Sequence, residues 1–206
     1  LTDPEQIRAL PDAPYVIYMI GFKFGSATDH RRTFHVNSIV PYLIGCRYPD
    51  STIVGFSSTN VYAPRPYVNG TISGSCEEDL LRPHGIYGWS IVGRESAFAT
   101  TALNNPRQLI CNFRLAYAQH LYYGVVRDLA DMVQHDKSIS LTVPAVNLIS
   151  QRDAIDYALR GIEYAANPPW TVNIAGPARF VTDIISSIGN NIGRYPHLCG
   201  AEGNEA

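Results

Sequence analysis

The chain has 206 residues, of which 46% are hydrophobic and 17% are charged, and its formal net charge is −2. These values are typical of a folded globular protein, and the lack of a basic face argues against a nucleic-acid partner. No apolar stretch approaches the ~18 residues that a membrane span needs, and the first residues do not form a signal peptide. The four cysteines are widely spaced, as in a protein with reduced thiols. We therefore expect a cytoplasmic protein with neither a membrane partner nor a nucleic-acid partner.

The first predicted strand, residues 15–20, is a continuous apolar run bounded by a proline and by Gly21. Such runs are typical of strands that are buried on both faces of a parallel sheet. Gly21 follows the strand, where a missing side chain lets a ligand approach the backbone, although an ordinary turn glycine explains it equally well. A helix is predicted over residues 29–47. It contains Asn37, and Pro41 is expected to kink it.

The second predicted strand, residues 52–56, leads into a cluster of small polar side chains, Ser57, Ser58, Thr59 and Asn60. A loop over 63–83 follows and is expected to shape a substrate pocket, since long ordered loops are often functional. Tyr87 begins a helix that is predicted to end at residue 103. A hydroxyl at the end of a parallel strand and a phenol on a neighbouring helix can face one crevice, and open α/β sheets bind ligands in such crevices.

The rest of the chain continues to alternate between strands and helices. This alternation predicts an α/β fold with a parallel sheet. The remaining predicted strands lie at 108–114, 140–143, 145–149 and 170–174, and the remaining helices at 122–136, 151–166 and 180–193.

Two short segments carry a resemblance to a known family. Ser57-Ser58-Thr59-Asn60-Val61-Tyr62 is similar to a strand end of the form Ser-Ser-x-x-Val-Tyr. Tyr87-Gly88-x-Ser90, followed by Glu95, is similar to a helix start of the form Tyr-Gly-x-Ser-Lys-x-x-x-Glu. Together they resemble the active-site signature of the extended short-chain dehydrogenase/reductase superfamily, in its NAD-dependent epimerase/dehydratase branch. The resemblance extends over nearly the whole chain.

The resemblance implies a partial Rossmann-type, doubly wound parallel sheet with a small C-terminal α+β substrate-binding portion. It implies NAD or NADP as the cofactor, a small-molecule substrate such as a sugar nucleotide, and a homodimer as a candidate assembly. Ser58 would bind the substrate oxygen, and Tyr87 would act as acid and base. The residues implied as supporting are Asn37 (through a water molecule), Thr59 and Asn60, and those implied as cofactor-binding are Gly21, Tyr87 and Leu115; no metal is expected.

The chain departs from the family at two places. No Gly-x-x-Gly-x-x-Gly turn occurs in it, so the first strands and the phosphate-binding loop are expected to be missing, and cofactor binding by this chain alone is doubtful. Residues 15–20 would then form a sheet edge. Ile91 stands where the family has its active-site lysine. A tyrosine has a pKa of ~10 and needs a nearby cation to exchange protons at neutral pH; Lys23 is the nearest basic candidate upstream.

We expect residues 1–118 to form the remainder of the NAD(P)-binding domain. Residues 119–206 are expected to be a mixed region, with the substrate-binding portion and the last Rossmann strand and helix. The predicted function is that of an NAD(P)-dependent epimerase/dehydratase-like oxidoreductase, as a fragment or a degenerate member. Thr59 and Asn60 replace the Asp-Glu pair of the dehydratases, which favours redox chemistry or epimerisation over elimination.

The alternative is a non-catalytic binding or regulatory protein on the same scaffold, and Ile91 favours it. Two other classes are disfavoured. Residues 55–59 lack the second glycine of a hydrolase nucleophile elbow, and the six histidines do not have the spacing of a zinc site.

Overall fold

A computed structural model describes residues 2–65, 67–68, 71–72 and 74–200. The helices are α1 (Pro4–Arg8), α2 (His30–Phe34), α3 (Val40–Arg47), α4 (Gly85–Asn104), α5 (Val125–Gln134), α6 (Gln151–Tyr164) and α7 (Val181–Ile192). The strands are β1 (Tyr15–Tyr18), β2 (Thr52–Ser58), β3 (Tyr67–Val68), β4 (Thr71–Ile72), β5 (Leu109–Leu115), β6 (Tyr117–Gln119), β7 (Ile139–Ser140), β8 (Ala145–Ser150), β9 (Trp170–Ile174), β10 (Ala178–Phe180) and β11 (Leu198–Cys199). Part of the predicted loop 63–83 lies outside the described residues.

The chain divides into two compact units. The first comprises Leu1–Pro64, Ser75–Leu115 and Ile155–Ile174, and the second comprises Arg65–Gly74, Ala116–Ala154 and Ala175–Ala206. The division into domains at residue 118 stays a prediction.

The first unit is built on a four-stranded sheet in the order β1-β2-β5-β9. All three pairings are parallel, which confirms the predicted α/β fold. Ser58 pairs with Leu115, and Leu115 pairs with Ile174, so the carboxyl ends of three strands lie side by side. This is the edge at which open α/β sheets bind ligands.

Helices cover both faces of the central strands, as their continuous apolar sequences predict. On one face, Val40 and Ile44 of α3 and Phe98 of α4 pack with Ile53 and Ile110 of the sheet. On the other face, Val54, Cys111 and Phe113 pack with Ala158 of α6.

The strand β1 has a partner on one side only among the described residues, and this confirms the expected sheet edge. Tyr18 is buried, but the alternate side chains face outward: Tyr15 and the nearby Met19 are 61% and 62% exposed. The continuous apolar sequence of this strand therefore predicted two buried faces where the described residues cover only one. The physical reason is that α6 packs on β2 and β5 and contributes no residue to the cluster around β1.

The predicted helix 29–47 is interrupted just before Pro41, which was expected to kink it. A π-helical turn, His35–Ile39, separates α2 from α3 and is closed by a bond from the Val40 amide to the His35 carbonyl. Pro41 has no amide hydrogen, so the carbonyl of Asn37, four residues earlier, lacks its usual helical partner. That carbonyl is consequently open to a side-chain donor.

The second unit is a small α+β structure. Its sheet has the order β10-β8-β6, with β10 antiparallel and β6 parallel to β8. The amphipathic helices α5 and α7 pack on it through a core that contains Leu129, Val133, Val146, Val181 and Ile185. No helix among the described residues is long and apolar enough to cross a membrane.

Candidate active site

Ser58 lies at the carboxyl end of β2, where the extended backbone gives way to a short 3-10 turn, Thr59–Val61. Its hydroxyl donates to the Asn60 side-chain oxygen at 2.9 Å and accepts from the Asn60 amide at 3.2 Å. The serine thus caps the turn and holds Asn60 beside it. Thr59 is half-buried and Asn60 is exposed at this edge.

Tyr87 occupies the first turn of α4 and is half-buried. Its ring packs against a cluster formed by Val61, Tyr62 and Ile91. The adjacent Gly88 explains the placement, because a Cβ there would lie 2.6 Å from the Asn60 carbonyl oxygen. Only a glycine permits so close an approach. The start of α4 therefore lies directly against the residues that follow Ser58.

The loop after β1 contributes a cation, Lys23, and a backbone segment at Phe22 that is hydrogen-bonded to Asn37. The Lys23 ammonium nitrogen lies 5.7 Å from the centroid of the Tyr87 ring, within range of a cation–π interaction. Partial desolvation lowers the pKa of Lys23, although the residue is exposed as a whole. Phe22, its neighbour, is held by the Asn37 side chain, which accepts from the Phe22 amide at 2.8 Å and donates to the Phe22 carbonyl at 2.9 Å.

Asn37 is completely buried and uses its whole hydrogen-bonding capacity. Besides the two bonds to Phe22, its amide group donates to the Ser90 hydroxyl at 2.9 Å and its oxygen accepts from Arg94 at 3.1 Å. Ser90 in turn donates to the Tyr87 carbonyl at 2.7 Å. Asn37 thus ties the loop after β1 to the first two turns of α4 by direct hydrogen bonds, and the predicted water-mediated role stays a prediction.

Arg94, which the sequence analysis did not single out, lies at the centre of this group and is 4% exposed. Its guanidinium donates to the Asn37 carbonyl at 3.3 Å, to the Asn37 side-chain oxygen and to the Phe56 carbonyl. It also lies 5.3 Å from the Tyr18 ring centroid. Burial lowers the pKa of Arg94, and the nearby Tyr18, Tyr87 and Glu95 act in the opposite direction. Burial likewise raises the pKa of Tyr18 to about 12 against the effect of Arg94.

Ile91, at the position of the family lysine, is 1% exposed. It packs with Val61 and Tyr62, and Tyr87 and Val92 border the same cluster. The side chain therefore fills apolar space and places no charge next to Tyr87.

Glu95, the last residue of the helix motif, has a structural partner. Its carboxylate accepts two bonds from Arg114 of β5, at 2.9 and 2.7 Å, and one from the Ser57 hydroxyl. Arg114 also donates to the Tyr62 hydroxyl at 2.6 Å, which donates to Asn173 of β9 at 2.8 Å. Burial disfavours the charged guanidinium, but the bond and charge of Glu95 outweigh it and raise the pKa of Arg114. This network fastens α4 to the carboxyl ends of the strands.

The predicted cofactor-binding residues lie at the same edge of the sheet. Gly21 follows β1, and a Cβ there would lie 3.3 Å from an Arg94 guanidinium nitrogen. Leu115 ends β5, and its half-buried side chain packs against the cluster beneath α6. Among the described residues no group of three or more histidine, cysteine or acidic side chains is placed to hold a metal ion.

The sequence matches no protein-family model and no curated protein. Its structure is similar to that of UDP-glucuronic acid 4-epimerase from Bacillus cereus in complex with NAD, with a TM-score of 0.78, 17% identity, and coverage of 96% of this chain and 66% of that one. It is similar to RMD from Pseudomonas aeruginosa complexed with NADPH, with a TM-score of 0.78, 16% identity, and coverage of 98% and 75%. It is also similar to UDP-glucose 4-epimerase from Thermotoga maritima with UDP-glucose, with a TM-score of 0.77, 14% identity, and coverage of 98% and 70%.

These likenesses show that the chain has the Rossmann-type fold of NAD-dependent epimerases and reductases, which the two motifs predicted. At identities this low, the structural similarity establishes the fold alone. The chemistry of the site has to be argued from its own residues.

Proposed function

We propose that this chain provides the substrate-binding and proton-transferring part of an NAD(P)-dependent oxidoreductase that epimerises or reduces a sugar nucleotide. The observation that supports the proposal is the contact of Gly88 with the Asn60 carbonyl. It brings the first turn of α4, with Tyr87, against the strand end that carries Ser58. A phenol flanked by the Lys23 ammonium group is suited to exchange protons, because a nearby cation favours the phenolate.

In this proposal Ser58 and Tyr87 both bind the reacting oxygen of the substrate. The Ser58 hydroxyl holds the oxygen in place, and the Tyr87 phenol takes up or returns its proton. The nicotinamide, when bound, supplies or accepts the hydride. Asn37 positions Tyr87 through Ser90, since this chain of hydrogen bonds fixes the first two turns of α4.

The positions of Gly21 and Leu115 after β1 and at the end of β5 support a role at the nicotinamide end of the cofactor, because this is the edge at which open α/β sheets bind ligands. The residues present do not supply the glycine-rich turn that holds the diphosphate. Binding of NAD(P) by this chain alone is accordingly expected to be weak or undetectable. The strand and turn that hold the diphosphate would be supplied by a further polypeptide segment packed on β1.

A non-catalytic binding or regulatory role is the second candidate, and the packing of Ile91 favours it. An isoleucine that is 1% exposed in an apolar cluster is an integrated core residue. A protein that binds ligands without proton transfer has no need of a charge at this position.

The test is reconstitution. We would fuse the chain behind the N-terminal, dinucleotide-binding half of a UDP-sugar epimerase, then measure NAD⁺ binding calorimetrically and turnover of UDP-glucose and UDP-glucuronic acid. The fusion is expected to bind NAD⁺ and to turn over one of the sugars, and Tyr87→Phe should lower turnover by about 10²–10⁴-fold with unchanged NAD⁺ binding. Ser96→Ala, on the exposed face of α4, is the matched control. A fusion that binds NAD⁺ but turns over neither sugar would favour the non-catalytic candidate, whereas a Tyr87→Phe variant with full turnover would refute the acid/base role of Tyr87.

A further inference from the structure

The helix α4 lacks the lysine of its family motif but carries a buried charge further along. Ile91 puts an apolar side chain next to Tyr87. Arg94 puts a guanidinium on Asn37, which is linked through Ser90 to the Tyr87 carbonyl. We propose that Arg94 is the positioning residue that supplies the positive charge to the Tyr87 phenol, in place of a lysine at position 91. The inference rests on the proposed acid/base role of Tyr87.

The spacing along α4 places the two side chains on one stripe of the helix. Tyr87 and Arg94 are separated by about two turns, or roughly 10 Å along the axis. Helical side chains lean toward the N-terminus, so the long Arg94 side chain covers the turn in the direction of Tyr87. Tyr87 acts to raise the pKa of Arg94, which accords with this placement.

Among the described residues, the oxygen atoms that hold Arg94 all belong to neutral groups. They are the backbone carbonyls of Asn37 and Phe56 and the Asn37 side-chain amide. Pro41 leaves the Asn37 carbonyl without a helical donor, and Arg94 uses it. The carboxylate next along the helix, Glu95, makes its close ion pair with Arg114. The guanidinium charge is thus held rigidly without being cancelled by a carboxylate in contact.

A buried charge acts over a longer range than an exposed one. Arg94 is 4% exposed, so the low local dielectric strengthens its effect on Tyr87 and dissolved salt screens it little. Burying a charge is costly unless it is compensated, and a functional site is one place where that cost is accepted. Arginine does not release its proton in proteins, so Arg94 would stabilise the phenolate without taking part in proton transfer.

Several titratable groups surround Tyr87 and Arg94, and the test has to separate them. Lys23 approaches the Tyr87 ring from the loop after β1, and Tyr62 follows the 3-10 turn and shares the Tyr87 cluster. Tyr18 of β1 lies under the Arg94 guanidinium. Glu95, on α4 itself, acts on Arg94. Of the two cations, Lys23 is exposed and its pKa is lowered by desolvation, so its contribution should be the smaller and the more sensitive to salt.

The experiment is a pH titration of the chain labelled with ¹³C at the tyrosine Cζ atoms and followed by NMR, with Tyr87→Phe to assign the signal. The Tyr87 pKa is expected at least one unit below its ordinary ~10, which is a tenfold gain in phenolate at a given pH. Arg94→Gln should raise the Tyr87 pKa and lower the phenolate fraction at a given pH about tenfold, and Arg94→Lys should restore the low pKa. Lys23→Met should change the phenolate fraction of Tyr87 by less than about threefold, and only at low salt.

A Tyr87 pKa at or above ~10 in the unmodified chain overturns the proposal without any variant. So does a folded Arg94→Gln chain whose Tyr87 titrates as before. If Arg94→Gln does not fold, the Tyr87 pKa is measured in the Lys23→Met variant in about 1 M salt. A Tyr87 pKa that remains lowered supports Arg94 as the cation. A Tyr87 pKa that returns to its ordinary value identifies Lys23 as the cation. The titration needs no cofactor or substrate, so a failure of turnover in the fusion would overturn the proposed function and leave this result standing.

Discussion

The ion pair between Glu95 and Arg114 gives the sharpest prediction about what holds the candidate site together. The two side chains make two parallel bonds, at 2.9 and 2.7 Å, and are 9% and 6% exposed. Replacing Glu95 by glutamine keeps its shape but removes its charge. Arg114 is then left as a buried cation with neutral partners.

The expected loss of stability follows from burial. Removing one member of a buried pair typically costs about 3–5 kcal/mol, because the remaining charge is desolvated without compensation. Arg107 and Asp50 form a pair with the same two-bond geometry, at 2.9 and 2.9 Å, but these side chains are 81% and 58% exposed. Asp50→Asn should therefore cost only ~0–1 kcal/mol. The two substitutions compare burial at nearly constant geometry.

Urea unfolding followed by tryptophan fluorescence measures the difference. Both tryptophans, Trp89 and Trp170, belong to the first unit, so the signal reports on the unit that contains both ion pairs. Free energies from linear extrapolation are compared at neutral pH. If Glu95→Gln cost no more than Asp50→Asn, the network around Arg114 would not fasten α4 to the sheet. Adding Arg114→Met to Glu95→Gln should recover part of the loss, because no unpaired charge then remains.

Three further substitutions test other parts of the structure. Asn37→Ala should destabilise the first unit by about 3 kcal/mol, because it leaves buried hydrogen-bonding groups unpaired; the exposed Asn104→Ala should stay within ~0.5 kcal/mol in the same urea assay. Gly45→Ala should cost about 1–3 kcal/mol despite the better helix propensity of alanine, since the new Cβ would lie 2.3 Å from the Thr101 hydroxyl oxygen; a stabilised variant would contradict the close packing of α3 on α4. The isolated chain should self-associate through the uncovered strand β1, and Ile17→Lys should suppress this in sedimentation across a concentration series, because lysine blunts an exposed edge; an unmodified chain that stays monomeric at the highest concentration would refute it.

The strands were predictable because their hydrophobic pattern is local. The runs at 52–56, 108–114 and 170–174 became β2, β5 and β9 of one parallel sheet. The strand β1 shows the limit of such reasoning. An apolar run reports that a strand is suited to burial on both faces, whereas the cover itself comes from elements that are distant in sequence.

The motif residues were also predictable, but the reasons for them were not. Three contacts place the motif residues, and each joins segments that lie far apart along the chain. They are Gly88 with the Asn60 carbonyl, Ser90 with Asn37, and Glu95 with Arg114. Arg94 was missed for the same reason, because its partners, Asn37 and Phe56, are distant in sequence. The available signal was a charge within a mostly apolar helix and, for Arg114, within a mostly apolar strand, since buried charges are rare unless they are paired.

The contacts of α4 explain how the helix motif persists without its lysine. Gly88, Ser90 and Glu95 carry the close approach and the hydrogen bonds that place the helix, and none of these contacts involves position 91. An isoleucine there adds to the apolar cluster with Val61 and Tyr62. The placement of Tyr87 and the supply of charge to it are therefore separate properties of the helix. The fold secures the first in an enzyme and in a non-catalytic relative alike, so turnover in the fusion and its dependence on Tyr87 distinguish the two proposed functions, whereas the titration of Tyr87 tests the role of Arg94.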